Sequence, residues 1–393
     1  MFRKTVSATM LTLLLTGMFF SSINIKPAKS TWTGTVYIRA DGSIDPPNAP
    51  ITTYDNITYT LTDNITSSGD GLVIMRDNII IDGNGYSVQG TRVDPYVGIR
   101  LNGTSNVTIM NMEIINFWIG IYLSWSSNNS VIKNEMLNNY YGICLNHSLC
   151  NSIIENDVIC VRSDILIGIF LDESYYNLIH GNHIVTILGH PSLWNGIYLN
   201  GSSYNIVNEN YIAYNNHGIW LSYSSNNTIS RNEIKSNDRY GIMLFHSLNN
   251  VIYHNNFINN TWQASSSDST NIWDYGYPSG GNYWSDYTGV DWFSGPYQNE
   301  TGSDGIGDTP YVIDENNTDR YPLMNPWMPI TLPGDLNHDG TINILDIVLV
   351  ASIYGCSEGE PNWNPDADLA APYGKIDIID LVTIAANYGR TYS

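Results

Sequence analysis

The sequence contains few cysteines and few basic residues. Its 393 residues include only four cysteines, Cys144, Cys150, Cys160 and Cys356, and no Cys-x-x-Cys pair that would suggest zinc. So few cysteines cannot hold a chain of this size, and we expect buried free thiols, with a Cys144–Cys160 disulfide as the alternative. Only 16 lysines and arginines accompany 37 acidic residues, a formal net charge of −21. Such a surface repels nucleic acid and anionic membranes and suits calcium, neutral glycans or basic partners.

Long apolar runs are also scarce. One run, from about Val6 to Phe20, follows Arg3 and Lys4 and is shorter than the roughly 20 residues that a membrane span needs. Small and polar residues come next, as in a secretory signal peptide. We therefore predict a signal peptide over 1–30, with an uncleaved N-terminal anchor as the alternative. The mature protein is expected to be secreted or at the cell surface, with no membrane span.

A Gly-Ile-x-Leu tetrad recurs along the chain at intervals of 22, 22, 26, 28, 22 and 23 residues. Nine residues after each tetrad, or eight after the first, stands an asparagine, and another follows five residues later. The tetrads begin at Gly98, Gly120, Gly142, Gly168, Gly196, Gly218 and Gly241; the asparagine pairs are Asn106 and Asn111, Asn129 and Asn134, Asn151 and Asn156, Asn177 and Asn182, Asn205 and Asn210, Asn227 and Asn232, and Asn250 and Asn255. Two columns at constant offset indicate a structural repeat.

Each repeat is interpreted as one coil of short strands. Strands such as Ile121-Tyr122-Leu123 alternate with period two and turn at asparagines or glycines that tolerate the left-handed backbone region. Stacked coils place like residues about 4.8 Å apart, so the asparagines bond to their own copies and the aliphatic residues form one core. The fold class predicted is all-β: a right-handed parallel β-helix, or solenoid, over 31–260. The alternative, a leucine-rich repeat, requires a spacing that is absent.

The end of such a solenoid needs a cap, since the last coil otherwise exposes unpaired strand edges. The aromatic and glycine-rich segment 261–325 is the predicted cap. Sugar stacking on its aromatic side chains is the alternative reading. Asp304 and Asp308 are one hypothesis for a structural calcium site there. A proline-spaced linker is predicted over 326–333.

The C-terminal segment 334–393 has the pattern of a calcium-binding loop followed by a helix. Oxygen ligands stand at loop positions 1, 3, 5, 9 and 12, position 7 offers a backbone carbonyl, and Gly340 permits the sharp turn. These positions are Asp335, Asn337, Asp339, Thr341, Asn343 and Asp346. The final aspartate departs from the glutamate of an EF-hand. Calcium is therefore the expected cofactor.

This helix is duplicated at an offset of 34 residues, because 378–389 repeats 344–355. The second loop is degraded: Ala370 and Pro372 replace acidic positions, whereas Asp368, Asp377 and Asp380 remain. A weaker second calcium site is expected.

Catalytic chemistry is not evident in any motif of fixed spacing. The inserts near 161–167 and 185–195 indicate where a site could lie, with Asp157, Asp172, Glu173 and His183 as candidate catalytic residues. Tyr175 and Trp194 are candidate glycan contacts nearby. The alternative is that all six decorate solvated turns.

The segment from Thr35 to Met324 resembles the NosD-like family of carbohydrate-binding and sugar-hydrolase β-helix proteins. The similarity includes residues 36–44, 280–287 and 304–311. It implies a secreted β-helix that binds polysaccharide or another glycan, with a polysaccharide hydrolase or lyase as the alternative. It also raises a NosD-like copper-binding accessory protein as a second alternative, although the histidines are scattered and only His180 and His183 are close.

Residues 334–389 resemble a type I dockerin, in which duplication is typical. That resemblance implies a cohesin module as partner. The pairs Ile344-Leu345 and Ile378-Ile379 then fall where dockerins carry partner-choosing residues. The alternative is that these residues pack inside the module or onto the β-helix.

Overall fold

The chain forms two compact units with the boundary between Trp327 and Met328. The computed structural model describes residues 32–161, 167–186, 195–327, 334–336, 342–357, 363–364, 367–370 and 374–390. The predicted signal peptide and most of the predicted linker lie outside these ranges. Within them, no helix combines the length and apolar character needed to cross a bilayer.

The first unit is a parallel β-helix whose coils contribute successive strands to three sheets, which we call A, B and C. Sheet A contains β1 (Trp32–Thr33), β6 (Ile65–Thr66), β9 (Ser87–Gln89), β12 (Glu113–Ile115), β15 (Glu135–Leu137), β18 (Asp157–Cys160), β21 (His183–Thr186), β24 (Tyr211–Ala213), β27 (Glu233–Lys235), β30 (Asn256–Ile258) and β32 (Tyr283–Trp284). Sheet B contains β2 (Val36–Ile38), β3 (Ile44–Asp45), β7 (Leu72–Ile74), β10 (Val97–Asn102), β13 (Ile119–Ser124), β16 (Tyr141–Asn146), β19 (Ile167–Asp172), β22 (Asn195–Asn200), β25 (His217–Ser222), β28 (Tyr240–Phe245) and β31 (Trp262–Ser267). Sheet C contains β4 (Ile51–Thr52), β5 (Thr58–Leu61), β8 (Ile79–Asp82), β11 (Val107–Met110), β14 (Ser130–Ile132), β17 (Ser152–Ile154), β20 (Leu178–His180), β23 (Ile206–Asn208), β26 (Thr228–Ser230) and β29 (Val251–Tyr253).

The Gly-Ile-x-Leu tetrad lies in sheet B, where its aliphatic residues form the core. Ile121 pairs with Ile99 and Ile143 in the strands on either side, and all three are fully buried. The glycine is required because neighbouring coils approach it closely: a Cβ on Gly142 would lie 2.5 Å from the Gly168 carbonyl oxygen and 2.6 Å from Val158 Cγ1. The sequence prediction of a parallel β-helix is thus confirmed.

Two buried asparagine ladders connect the coils, as predicted. Asn129 Nδ2 donates to Asn151 Oδ1 at 3.0 Å, and the same Asn129 nitrogen donates to the Thr104 carbonyl oxygen at 3.0 Å. Each rung therefore satisfies both backbone and side-chain groups inside the molecule. The first ladder contains Asn129, Asn151, Asn177, Asn205, Asn227, Asn250 and Asn271; the second contains Asn134, Asn156, Asn182, Asn210, Asn232, Asn255 and Asn282.

The assignment of Asn106 and Asn111 to these ladders was wrong by one position. Thr108 pairs with Ser130, which places Val107 at the position of Asn129, and Val107 N donates to Asn129 Oδ1 at 2.9 Å. Met112 N likewise donates to Asn134 Oδ1, at 3.3 Å. The first rung only has to supply a backbone N–H, which any residue except proline carries.

From Asn129 to Asn255, the left-handed turn residue is the one before each ladder asparagine, not the asparagine itself. Asn128 has φ 56° and Asn226 has φ 58°, but Tyr176 (59°) and Arg231 (59°) adopt the same conformation. The interpretation that asparagine or glycine makes these turns was therefore too narrow. Ladder bonds on the next residue hold the turn, which offsets the strain of a bulky left-handed residue.

Two further ladders were not predicted. A serine ladder begins where Thr104 N donates to Ser126 Oγ at 3.3 Å, and it continues through Ser148, Ser174, Ser202, Ser224, Ser247 and Ser269. A third asparagine ladder is interrupted: Asn139 belongs to an early coil, and the ladder resumes with Asn215, Asn237 and Asn260. The interruption coincides with the two longest repeats of the sequence, those that begin at Gly142 and Gly168.

The predicted cap region closes the core and two of the ladders. Trp284 stacks between Phe257 and Tyr311, with ring centroids 4.5 and 4.2 Å away. On the hairpin of β35 (Tyr311–Asp314) and β36 (Asn317–Asp319), Asn317 Oδ1 accepts from Asn271 N at 3.0 Å. A second small hairpin pairs β33 (Phe293–Ser294) with β34 (Glu300–Thr301).

Asp319, on the same hairpin, ends the second ladder. Its Oδ2 accepts from Asn282 N at 2.7 Å and from Trp284 Nε1 at 2.9 Å. The side chain is fully buried, and burial raises the pKa of this carboxyl to about 7.

The carboxylates suggested for a calcium site in the cap accept backbone hydrogen bonds. Asp308 accepts from Trp292 N and Phe293 N, each at 3.0 Å. Asp304 accepts from Ile306 N at 3.1 Å. These bonds hold loops of the cap together, and the calcium hypothesis stays a prediction.

The second unit contains two helices, α1 (Ile344–Ser352) and α2 (Ile378–Ala386), around a small core. Each helix begins with a reciprocal capping box, Asn343 with Asp346 and Asp377 with Asp380. The buried core residues are Ile342, Val350, Ala367, Ile376 and Ile384.

None of the four cysteines, all of which lie in the described ranges, forms a disulfide, so the Cys144–Cys160 disulfide is absent. Cys144 and Cys160 are buried, as expected of free thiols, whereas Cys150 is exposed at a left-handed turn position.

Candidate functional site

The outer face of sheet B carries three files of side chains, one residue per coil, which together we call the B face. The register places the x residues of the tetrads in one file: Arg100, Tyr122, Cys144, Phe170, Tyr198, Trp220 and Met243. The residues before the glycines form the second file, which ends with Trp262, the register partner of Tyr240: Val97, Ile119, Tyr141, Ile167, Asn195, His217, Tyr240 and Trp262. The residues after the leucines form the third: Asn102, Ser124, Asn146, Asp172, Asn200, Ser222 and Phe245.

A continuous series of aromatic rings begins with Trp118 and Tyr140, which belong to none of the three files, and then runs through the first two files. We call it the ring chain. Its members are Trp118, Tyr140, Tyr141, Phe170, Tyr198, Trp220, His217, Tyr240 and Trp262, with successive centroids 3.8, 5.4, 6.0, 5.2, 4.9, 5.4, 5.5 and 5.1 Å apart. Every ring except His217 is partly exposed. Sequence reasoning missed this feature, although the variable tetrad position is aromatic in four of seven repeats.

The third file supplies hydrogen-bonding groups beside the rings. Asp172 accepts from Asn146 Nδ2 at 3.0 Å and from Asn200 Nδ2 at 2.8 Å, so the carboxylate is held between two amides. The next residue, Glu173, pairs with His147 at 2.8 Å. The B face thus offers aromatic surface next to fixed amide and carboxylate oxygens.

Burial controls the protonation of this face. It raises the pKa of the Tyr141 and Tyr198 hydroxyls and raises that of Cys144 to about 12, so these groups are neutral at pH 7. Burial lowers the pKa of His217 to about 4, and the positive charge of Arg239 makes a smaller contribution in the same direction. The histidine in the ring chain is therefore a neutral hydrogen-bonding group.

The outer face of sheet A is different, because ionisable side chains dominate it. Its register places Glu113, Glu135, Asp157, His183 and Tyr211 on successive strands. His183 Nδ1 lies 3.2 Å from Asp157 Oδ1, and the His183 ring stacks on Tyr211 at 4.9 Å. Burial, with the Glu113 and Asp157 charges, raises the pKa of Glu135.

The candidate catalytic residues therefore separate into two places. Asp157 and His183 form a pair on sheet A, whereas Asp172 and Glu173 lie at the end of strand β19 in sheet B. Tyr175 follows in the turn toward sheet C. Trp194 lies outside the described residues. No single cleft collects these side chains within the described ranges.

The predicted calcium ligands are only partly described, because Asn337, Asp339 and Thr341 lie outside the described residues. Asp346 is buried and accepts from Leu336 N and Asn343 N, each at 2.8 Å. Asp335 is also buried. Asp380 accepts from Leu369 N and Ala370 N, each at 2.8 Å.

In the second predicted loop, the carboxylate of Asp368 fits a bound cation. Asp368 Oδ2 accepts from Gly374 N at 2.5 Å, but its Oδ1 is buried with no partner among the described residues. A buried carboxylate oxygen without a donor is costly unless a cation or water completes it. Asp377, by contrast, uses Oδ1 to cap α2 through Ile379 N at 2.7 Å.

Histidines are spread over the β-helix. His180 Nε2 lies 4.0 Å from Glu209, whereas His183 contacts Asp157 on another sheet. Across the part of the chain that the structure describes, no three His, Cys, Asp or Glu side chains are grouped so as to hold a metal ion.

These features define a parallel β-helix protein with an aromatic outer face and a separate two-helix unit. Comparison with protein-family models identifies the family: the model described as periplasmic copper-binding protein (NosD) matches residues 31–191 and 78–289, together well over half of the 393 residues. The chain belongs to the NosD family. A periplasmic family is consistent with a location outside the cytoplasm. Comparison with curated proteins finds no significant match.

Solved structures with a similar fold include enzymes of polysaccharide metabolism and a tailspike. The periplasmic alginate epimerase AlgG is 16% identical with a TM-score of 0.43, over 57% of this chain and 63% of that one. The Dettilon tailspike protein gp208 is 16% identical with a TM-score of 0.41, over 65% and 57%. An alginate lyase from Paenibacillus sp. FPU-7 is 13% identical with a TM-score of 0.37, over 65% and 98%. The chain thus spans less than two thirds of the epimerase and tailspike, and these likenesses do not extend to activity.

Proposed function

We propose that this protein is a secreted or cell-surface glycan-binding protein that holds polysaccharide on its B face. The observation that carries the proposal is the ring chain beside the amide and carboxylate file. Sugars present apolar C–H faces and many hydroxyls, so they bind where aromatic surface adjoins fixed polar groups. The scarcity of basic residues favours a neutral glycan over a polyanion.

The proposal is tested by measuring retention of the calcium-loaded protein on a panel of immobilised polysaccharides. Tyr198→Ala, in the ring chain, should weaken retention about tenfold, since an aromatic contact contributes roughly 1 kcal/mol or more. Tyr253→Ala is the matched control, because Tyr253 also points outward and stacks on its neighbour, Tyr275, at 4.7 Å, but in sheet C. Equal effects of the two substitutions, or no retention on any glycan, would contradict the proposal.

The C-terminal unit is proposed to dock, with bound calcium, onto a cohesin module. Its support is the apolar surface of the two helices: Ile344 and Leu345 are 57% and 55% exposed, and their duplicates Ile378 and Ile379 are 56% and 44% exposed. Exposed apolar residues repeated on two helices are typical of a partner surface. Asp335, Asp346 and Asp368 fit a hard cation such as calcium through carboxylate oxygens.

Docking is tested with the full chain and immobilised type I cohesin modules, with calcium and with EDTA. Binding in calcium that is lost in EDTA and in Ile344→Ser/Ile378→Ser would support the proposal. A chain that binds calcium but none of a broad cohesin set would contradict it.

Polysaccharide cleavage by a hydrolase or lyase is the second candidate function, and one observation favours it. The Asp157–His183 pair has the geometry of a carboxylate that orients a general base or acid. Release of reducing or unsaturated sugar ends in the same panel, abolished by His183→Gln, would favour an enzyme. Retention without release favours binding.

Copper binding, as in the family description, is the remaining alternative. Its ligands would be histidines or sulfur atoms. Equilibrium dialysis against copper tests it: tight binding that His180→Ala and His183→Ala weaken would favour this function over glycan binding.

A further inference from the structure

Three buried polar atoms in the middle of the B face have no hydrogen-bond partner among the described residues. They are Asn195 Oδ1, His217 Nδ1 and Trp220 Nε1. Asn195 and His217 are only 7% and 4% exposed. Because an unpaired buried polar atom costs roughly 1–3 kcal/mol, three in one neighbourhood need an explanation.

These atoms belong to adjacent strands at the point where the ring chain changes file. Asn195 of β22 is the register partner of His217 in β25. The His217 ring lies 5.4 Å from the Trp220 ring in the same strand. The neighbouring rings, Tyr198 and Tyr240, stack on Trp220 and His217 at 4.9 and 5.5 Å and fix both.

Asn195 also lines a small cavity at the corner between sheets A and B. Asn139, Thr186 and Asn215 contribute the polar part of its wall, and aliphatic side chains such as Val158 and Ile184 contribute the rest. This is the corner where the third asparagine ladder is interrupted. The cavity leaves room beside the Asn195 side chain for one small polar group.

The chemistry of the three atoms restricts what can satisfy them. An indole N–H only donates and an amide oxygen only accepts, whereas the Nδ1 of a neutral imidazole does either. His217 is neutral because burial, and then Arg239, lowers its pKa to about 4. A single group that satisfies all three atoms must accept from Trp220 and donate to Asn195. A hydroxyl group does both, a carboxylate only accepts and an ammonium only donates.

We propose that Asn195, His217 and Trp220 form a subsite for one hydroxyl group of a neutral sugar, which a water molecule occupies when no glycan is bound. This inference rests on the proposed glycan-binding function and adds a specificity: neutral sugars over uronic acids. The net charge of −21 acts in the same direction, because it repels polyuronates.

Isothermal titration of the full chain with neutral hexaoses (cello-, manno- and xylo-) and with oligogalacturonate tests the subsite. Trp220→Phe removes one N–H and keeps a ring, and Asn195→Ala removes the acceptor. Each should weaken the best neutral ligand about 5- to 10-fold, the loss of roughly one hydrogen bond. Trp292→Phe is the matched control, since Trp292 is 69% exposed in the cap and does not belong to the B face. It should change the affinity less than twofold.

A crystal structure with the best neutral hexaose gives an independent readout. We expect a sugar oxygen within about 2.7–3.2 Å of Trp220 Nε1. If hexaose binds but Trp220→Phe behaves like Trp292→Phe, or only water lies at these atoms, the subsite is overturned while glycan binding stands. Preference for oligogalacturonate also overturns it. If no glycan binds, both the subsite and the proposed function fall.

Discussion

The two units of the chain both repeat, but they use repeated residues in opposite ways. In the β-helix, the repeated Ile121, Leu123 and Asn129 are buried, and each contacts its copy in the next coil. In the C-terminal unit, the repeated Ile344 and Ile378 are 57% and 56% exposed. When a residue is repeated because its copies pack on each other, the repetition predicts the fold. A residue repeated on the surface does not pack on its copy, and this is the feature from which we propose a docking surface.

The largest effect is expected inside a ladder. Asn182→Ala should lower the free energy of unfolding of the β-helix by about 3–5 kcal/mol, because Asn182 bonds to Ile153 O, His180 O and Asn210 Oδ1 and leaves these groups unpaired when truncated. Denaturant unfolding measures the change. Ser130→Ala, on the outer face of sheet C, is the control and should cost less than about 1 kcal/mol. A ladder variant no less stable than this control would show that the ladders are dispensable.

Calcium removal should affect the stability of the two units differently. If the second unit folds around the predicted loops, EDTA should lower its stability by about 3–4 kcal/mol, the linkage expected when calcium is several hundred-fold above Kd. The helical signal in circular dichroism reports this unit, and the sheet signal reports the β-helix. The helical transition should shift while the sheet transition stays. Coincident shifts, or none, would contradict the calcium prediction.

The cap should respond to pH through Asp319. Burial raises the pKa of its carboxyl to about 7, above the ordinary value of 3.8. Between these pH values the folded state binds the extra proton, so the stability of the cap should fall as pH rises from about 4 to 7 and then level off. The expected loss from pH 5 to pH 8 is about 3 kcal/mol, because the slope is about 1.4 kcal/mol per pH unit up to pH 7.

Asp319→Asn should remove that dependence, since its amide oxygen keeps an acceptor beside Asn282 N without ionising. Thermal unfolding of the full chain at several pH values measures the difference. The same slope in wild type and variant would rule out Asp319 as the titrating group.

The smallest effect is expected on the exposed helix face. Ile344→Ser should change the stability of the second unit by less than about 0.5 kcal/mol, because its side chain is 57% exposed. Ile384→Ala, in the buried core, should cost about 2–4 kcal/mol by the cavity it leaves. The helical unfolding transition measures both. A large loss in Ile344→Ser would mean that this face packs within the molecule.

Much of the β-helix could be predicted, because its coils repeat about every 22 residues. The core and ladder residues therefore recur in the sequence at a nearly constant spacing. Two features of the ladders were not predicted correctly, each for a physical reason. Asn106 and Asn111 were misplaced because a ladder's first rung needs only a backbone N–H, as Val107 provides. The serine ladder escaped notice because serine is common in turns as well.

The candidate site was harder to predict. The ring chain depends on contacts between two files, such as His217 with Trp220, and register between coils of unequal length decides those contacts. The Asp157–His183 pair arises in the same way, across a repeat that contains an insert. Asp172 and Asp157, close in sequence, belong to different sheets, which no local pattern reveals.

The glycine file limits how this molecule can change its length. Each glycine packs against the backbone carbonyl of the next coil: a Cβ added to Gly142 would lie 2.5 Å from Gly168 O. A coil therefore cannot slip by one or two residues, because a side chain would then collide with that carbonyl. Gain or loss of a whole turn of the spiral, by contrast, presents the same glycine, serine and asparagine to both neighbours. Descendants of this chain can therefore lengthen or shorten their B face in steps of one turn, and the hairpin of Asn317 and Asp319 will still fit the end.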